Sequence, residues 1–387
     1  VRQVTLAEAL EAVARIAPDP GREEVPLEAA AGRVLAGPVP AAVDVPGYDG
    51  SAMDGWAVRA RDTPGRLRVA GESAAGAPWD GRLGEGEALR VSTGAALPAG
   101  ADAVVRQEDA RPVGGAVEVP RTAPGHDVRA RGEVIEAGGE LLPAGAVVGP
   151  HAVGALGAAG VVSVPVRRAP RVAILATGAE LVPLGAPLRP GAVYDSSRIG
   201  LMAQIRAAGG EVAAAETVGD DAAATLGALG RLLALEPDLL VTTGGIGFGP
   251  HDHVAAALEA AGLRPVLRGL RVVPCRPTGL FAGPGGPALA LPGNPVSAAV
   301  AFHLLGRPLL GRPEGWERRA PLDAPYPRHA DRAEAVRCVE REGRLVALPQ
   351  QDSHAVAPLA RATALALVGP GEGPTPPGAV VPYSPLA

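Results

Sequence analysis

Between residues 170 and 305, short apolar runs alternate with amphipathic stretches, and this alternation restricts the fold more than any other feature of the chain. Arg171-Val-Ala-Ile-Leu-Ala176 reads as a strand and Thr177-Gly-Ala-Glu180 as its loop. Asp195-Ser-Ser197 offers N-caps for a helix to about residue 208, closed by Gly209-Gly210. A second strand is predicted over 211–218, a helix over 222–235 and a third strand over 239–242. A helix to Ala261 follows, and Ala288-Leu-Ala-Leu291 reads as a late strand leading into a helix through Leu305. Strands joined by helical crossovers make a mostly parallel sheet with helices on both faces.

Three strand ends in this region share one design. They are Ala176-Thr-Gly-Ala-Glu180, Thr242-Thr-Gly-Gly245 and Leu291-Pro-Gly-Asn-Pro-Val-Ser297. A glycine at the carboxyl end of a parallel strand has no Cβ to shield the main chain, so a phosphate or oxyanion can approach the backbone N–H groups. In open α/β sheets ligands bind along that edge. Each loop alone reads as an ordinary turn. Together they predict one anion-receptive pocket lined by Thr177, Gly178, Thr243, Gly244, Gly245, Asn294 and Ser297.

The flanking regions follow other patterns. Residues 5–16 put Leu6, Leu10, Val13 and Ile16 on one helical stripe, with Thr5 as N-cap. From about 23 to 168, Val/Leu-rich runs such as Leu67-Arg-Val-Ala70, Ala88-Leu-Arg-Val-Ser92, Ala103-Val-Val105 and Ala116-Val-Glu-Val119 are cut by Gly and Pro, which predicts small β modules. Residues 149–160 read as a short helix rich in small residues. Beyond about 308, Ala335-Val-Arg-Cys-Val339 and Arg344-Leu-Val-Ala-Leu348 predict a hairpin, and 364–368 and 379–381 predict further strands.

Composition narrows the function classes. The 387 residues leave room for two to four domains at roughly 150 residues each, and 47% apolar content supports substantial cores. All 36 basic residues are Arg, the net charge is −5 and no basic run is interleaved with aromatics, so nucleic acid is not an expected partner. Two distant cysteines argue against a disulfide framework and fit a reducing compartment. The N-terminus reads as neither a signal nor a membrane segment, so a cytoplasmic protein without membrane association is expected. No nucleophile elbow, P-loop or dinucleotide fingerprint is present.

Carboxylates cluster near the glycine punctuation. Asp54, Asp102, Glu180, Asp195, Asp220, Asp221 and Asp252 are all candidates, and several carboxylates facing a phosphate site point to Mg²⁺. Helix capping explains Asp195, Asp220 and Asp221 equally well, whereas Glu180 and Asp252 lie just past glycine loops. His251 and His253 at i, i+2 are poorly spaced to share a metal. Ser196, Ser197 and Ser297 fall at helix starts, where capping accounts for them.

Five motifs in order carry a resemblance across nearly the whole chain. They are Ser51-Ala-Met-Asp-Gly-Trp-Ala-Val58, Ser92-Thr-Gly-Ala-Ala-Leu-Pro-Ala-Gly-Ala-Asp-Ala-Val-Val105, Leu175-Ala-Thr-Gly-Ala-Glu-Leu181, Thr243-Gly-Gly-Ile-Gly247 and Leu291-Pro-Gly-Asn-Pro-Val-Ser297. The chain resembles the MoeA family of molybdopterin molybdenumtransferases, which includes the gephyrin E domain. The resemblance implies a multidomain α+β and α/β protein. Residues 1–40 plus 130–168 would form a discontinuous elongated domain, and 41–129 an inserted β domain. Residues 169–308 would form a MogA-like α/β domain with a parallel-type sheet, and 309–387 a C-terminal β-barrel.

It further implies Mg²⁺-dependent insertion of molybdate into adenylylated molybdopterin with release of AMP. The partners implied are a second copy of the chain, a pterin-adenylylating MogA-like protein and molybdoenzyme acceptors. By motif position, Asp54, Thr93, Glu180 and Asp252 would be catalytic, and Glu180, Asp220 and Asp252 would hold metal. The family site lies between the α/β domain of one subunit and the inserted domain of the other.

The chain also departs from the family pattern. Val134 stands where the family has Asp, and Val273-Pro-Cys-Arg-Pro277 replaces a segment with two Lys. Arg276 would keep one positive charge in the substrate site, with Arg271 a second candidate, although the guanidinium fork is not equivalent to an ammonium. Gly247 replaces a common Ser. Loss of pocket residues on an intact scaffold leaves a second reading open, a catalytically weakened paralogue that binds or carries molybdopterin. A MogA-like adenylyltransferase is a third, disfavoured by the extra β modules.

Overall fold

The computed structural model describes residues 3–247, 253–312 and 316–386, and by its internal contacts the chain divides into two compact units, Val1–Gly21 with Arg168–Ala387 and Arg22–Arg167. The four-part division expected above sets residues 1–21 with 22–40 and 130–168, whereas by internal contacts residues 1–21 group with 168–387.

In the larger unit, helix α1 (Leu6–Ile16) starts with a capping box. The Thr5 hydroxyl accepts from the Glu8 N–H, and the Glu8 carboxylate accepts from the Thr5 N–H at 2.7 Å. The α/β sheet has strands β1 (Arg171–Thr177), β2 (Glu211–Val218), β3 (Leu239–Thr243), β4 (Arg264–Arg268), β5 (Gly279–Gly283) and β6 (Gly286–Leu291). They run in the order β2-β1-β3-β6-β5-β4. The first four in that order are parallel, while β5 pairs antiparallel with both β6 and β4.

Residue alternation decides what covers each face. Val172 and Ile174 of β1, Val241 of β3 and Leu289 and Leu291 of β6 pack with α1, α2 (Ser196–Ala207) and α5 (Pro295–Ala301). Ala173, Leu175, Leu240, Ala288 and Ala290 point to the other face, under α3 (Ala222–Leu233) and α4 (Val254–Ala260). Burial on both faces is why these strands read as unbroken apolar runs. Asp195 and Asp221 cap α2 and α3 through the N–H groups of Arg198 and Ala224, the structural role that was open to them.

After α5 the helix widens into one π turn, Phe302–Gly306, before a last α turn, Arg307–Leu309. Gly306 allows this, because a Cβ there would lie 2.3 Å from the Phe302 ring. The C-terminal strands Arg344–Ala347, Ala333–Arg341, Ala364–Val368, Val380–Pro385 and Arg318–Pro321 pair in that order, and a bridge from Leu322 to Leu345 closes the ring. Its expected hairpin turns on Glu342 and Gly343, both at positive φ (50° and 72°), the conformation that a two-residue hairpin favours.

The smaller unit is built of sheets. Ala103–Arg106, Gly55–Val58, Glu87–Val91, Gly65–Ser73, Ala116–Val119 and Arg111–Val113 form a six-stranded sheet in that order. Trp56, Val58, Leu67 and Val105 fill one of its faces, and Ala57, Leu89, Val91 and Val104 the other. Separately, Arg22–Pro26 pairs antiparallel with Ser163–Arg167 beside helix Pro150–Ala158. Among the described residues, no helix is long and apolar enough to cross a membrane.

Candidate functional site

The three glycine turns meet at one place. A cavity of about 720 Å³ at the carboxyl edge of the α/β sheet is lined by Thr177, Gly178 and Glu180 after β1, by Asp220 after β2, by Thr243, Gly244 and Gly245 after β3, and by Pro292, Gly293 and Asn294 after β6. Leu181, Tyr194 and Asp195 complete one wall, and His354 reaches it from the C-terminal module.

Close backbone packing holds the turns together. Gly244 has φ +88°, and a Cβ there would lie 2.2 Å from the Thr177 carbonyl oxygen, so only glycine fits. The Gly244 N–H donates to Leu291 O at 3.2 Å, and the Thr243 hydroxyl donates to Pro292 O at 2.9 Å. The Gly178 N–H donates to Val218 O, and the Ala179 N–H to the Asp220 carboxylate at 3.1 Å. Several N–H groups expected to face a ligand are therefore spent on holding the loops. Among the described residues, those of Gly245 and Ile246 meet no acceptor. Among the described residues, the buried Thr177 hydroxyl oxygen has no hydrogen-bond partner either.

Asp195 is buried and accepts from the Thr217 hydroxyl at 2.7 Å and from Arg198 Nε at 2.6 Å, so its charge is matched within the fold. Glu180 and Asp220 are exposed to the cavity. Two carboxylates match what Mg²⁺ usually takes from a protein when a phosphate and water supply its other ligands. Among the described residues, no group of three His, Cys, Asp or Glu is close enough to hold a metal alone. His251 and Asp252 lie outside the described residues.

Other expected residues stand apart from this cavity. Ser297 is buried and does not line it, because it lies inside the first turn of α5. Arg276 is exposed and does not line it either; its neighbour Pro277 does. Arg271 is committed elsewhere, its guanidinium donating to Asp331 O. In the smaller unit, Asp54 accepts from the Thr93 N–H at 2.6 Å and the Thr93 hydroxyl at 2.9 Å. The Thr93 N–H, then its hydroxyl, holds the Asp54 carboxyl below the usual carboxylate range. Asp54 also borders a second cavity of about 490 Å³ with Trp56, Glu72, Arg90 and Glu108, where the Arg90 guanidinium lies 5.9 Å from the centre of the Trp56 ring. Asp102 is structural, accepting from the Ala60 N–H at 2.6 Å.

Sequence reasoning did not find Tyr194 or His354. Tyr194 sits in a two-residue strand, and His354 follows a barrel strand more than fifty residues beyond the last glycine turn; neither has a local signature.

Family models and known proteins match most of the chain. The MoeA N-terminal region (domains I and II) matches residues 4–160, the "Probable molybdopterin binding domain" matches 173–312, and the MoeA C-terminal region (domain IV) matches 319–386. Molybdopterin molybdenumtransferase 2 of Mycobacterium tuberculosis is 37% identical over 299 residues, 74% of each chain. The molybdopterin molybdenumtransferase of Synechococcus elongatus is 34% identical over 90% of this chain and 91% of its own. A molybdopterin biosynthesis MoeA protein of Pyrococcus horikoshii superposes with a TM-score of 0.85 at 32% identity, covering 100% of this chain and 99% of that one. This chain therefore belongs to the MoeA family of molybdopterin molybdenumtransferases, the transferases of molybdenum cofactor biosynthesis.

Proposed function

We propose that this chain inserts molybdate into adenylylated molybdopterin and releases AMP, with Mg²⁺ held by Glu180 and Asp220 at the glycine-turn cavity. The convergence of the 177–180, 243–247 and 292–294 turns on one cavity with two exposed carboxylates carries this reading. The N–H groups of Gly245 and Ile246, which meet no acceptor among the described residues, suit the phosphate oxygens of a pterin nucleotide. When bound, Mg²⁺ would screen the ligand's negative charge from the carboxylates. Asp220 holds the 177–180 turn by accepting from Ala179, and Asn294 shapes the opposite rim. The protein would act as a homodimer. It would receive its substrate from a pterin-adenylylating MogA-like protein and pass cofactor to molybdoenzymes, in the cytoplasm.

The direct test incubates purified protein with adenylylated molybdopterin, Mg²⁺ and molybdate and follows AMP and cofactor. Release of AMP together with cofactor is expected. Tight pterin binding without turnover would instead favour the carrier reading that Val134 and Val273 leave open.

A further inference from the structure

The lining of the main cavity is acidic. Glu180 and Asp220 face it exposed, and Asp195 is already neutralised by Arg198. The Tyr194 hydroxyl is spent on Ala186 O at 3.1 Å. Beside the Mg²⁺ proposed above, a phosphate-bearing ligand in a cavity of this sign gains from a basic side chain nearby. Among the described residues, His354 is the one lining side chain able to carry positive charge.

The segment that carries His354 is anchored from below. Arg337, fully buried and without a carboxylate in salt-bridge range among the described residues, donates through Nη2 to the carbonyls of Gln350 and Asp352 at 3.4 and 3.3 Å. The Gln351 amide bonds both backbone groups of Arg337, accepting from its N–H and donating to its carbonyl, each at 2.9 Å. On the cavity side, Asn294 Nδ2 donates to Ser353 Oγ at 3.0 Å, so the residue before His354 is tied directly to the pocket rim. Burying a guanidinium is costly, and here the charge is spent on the carbonyls of one loop. The imidazole is therefore presented from a fixed loop while remaining exposed.

We propose that the imidazole of His354 is the side chain that meets a ligand's phosphate in this cavity, presented by the Arg337–Gln351 clamp and the Asn294–Ser353 bond. The inference rests on the function proposed above and adds a side chain of the protein itself that meets the nucleotide phosphate. Asp352, on the same loop, has its carbonyl held by Arg337.

The test compares AMP with adenosine, which lacks the phosphate, by titration calorimetry on the full chain and on the variants His354→Gln and His354→Arg. His354→Gln is expected to weaken AMP roughly five-fold, the size of one partly screened charge interaction, and to leave adenosine unchanged. His354→Arg should restore AMP affinity to within about two-fold. Equal AMP affinity in the wild type and His354→Gln overturns the inference alone. So does a parallel loss of adenosine, which would mark a structural role. Failure of the wild-type chain to bind either ligand removes the functional reading and the inference with it.

Discussion

Asp54 and Gly244 are two residues whose surroundings leave little latitude. Asp54 is exposed, and both of its bonds come from Thr93, so the pair can be cut without disturbing a core. Asp54→Ala should abolish turnover while circular dichroism and thermal unfolding stay close to wild type; unchanged AMP release would remove Asp54 from the reaction. At Gly244, a methyl group 2.2 Å from the Thr177 carbonyl oxygen forces two of the three turns apart, and φ is already +88°. Gly244→Ala should cost about 2 kcal/mol in urea unfolding, the usual scale for a side chain in left-handed backbone plus a clash, and should weaken pterin binding. A stable variant with native affinity would show that the turns move independently. The sequence made Gly244 legible because a glycine after a buried strand has few other uses. It also named Ser297 and Arg276, which line nothing in this cavity. For Ser297 the helix register turned the side chain inward, and for Arg276 only the neighbouring proline reaches the wall.

Elements were easiest to read where one physical rule dominated. The alternation of β1 placed its residues on two faces, and Thr5, Asp195 and Asp221 marked helix starts as capping requires. Strands β4 and β5 were not legible, because Gly and Pro interrupt them and their pairing depends on the sheet edge left beside β6. The π turn was hidden too. Within it His303 is buried, its Nε2 2.8 Å from the Ser384 hydroxyl, and burial drives its pKa from 6.5 down to about 4. The folded chain thus favours the neutral ring, while the unfolded chain takes up a proton below about 6.5. Stability from this site is complete above pH 6.5 and is lost as pH falls through about 4, a span on the order of 3 kcal/mol. Urea unfolding between pH 7 and 4 should show that loss in the wild type, and the difference from His303→Gln should shrink across the same interval. A difference independent of pH would mean that the ring is not held neutral.

For the whole molecule, family membership follows from motifs spread over both units, yet each unit keeps its own cores. The short strands of 23–168 were legible from Gly and Pro punctuation. The grouping of α1 with residues 168–387 was not, since the stripe of Leu6 and Val13 matches any apolar face and only tertiary packing selects one. The proposed homodimer predicts a sedimenting mass twice the 38.7 kDa of the chain at micromolar concentration, independent of Mg²⁺. A species of single-chain mass that still releases AMP would refute the dimer requirement.

One lining residue of the main cavity, His354, comes from a loop of the closed C-terminal sheet, while much of the floor is glycine backbone. At Gly244 the floor admits no substitution, because an added Cβ would collide with the turn that carries Thr177. The loop carries its exposed His354 outward from a clamp that binds mostly main-chain carbonyls. A chain built this way can change what it accepts by lengthening or recharging one surface segment, with its sheet and its turns left untouched.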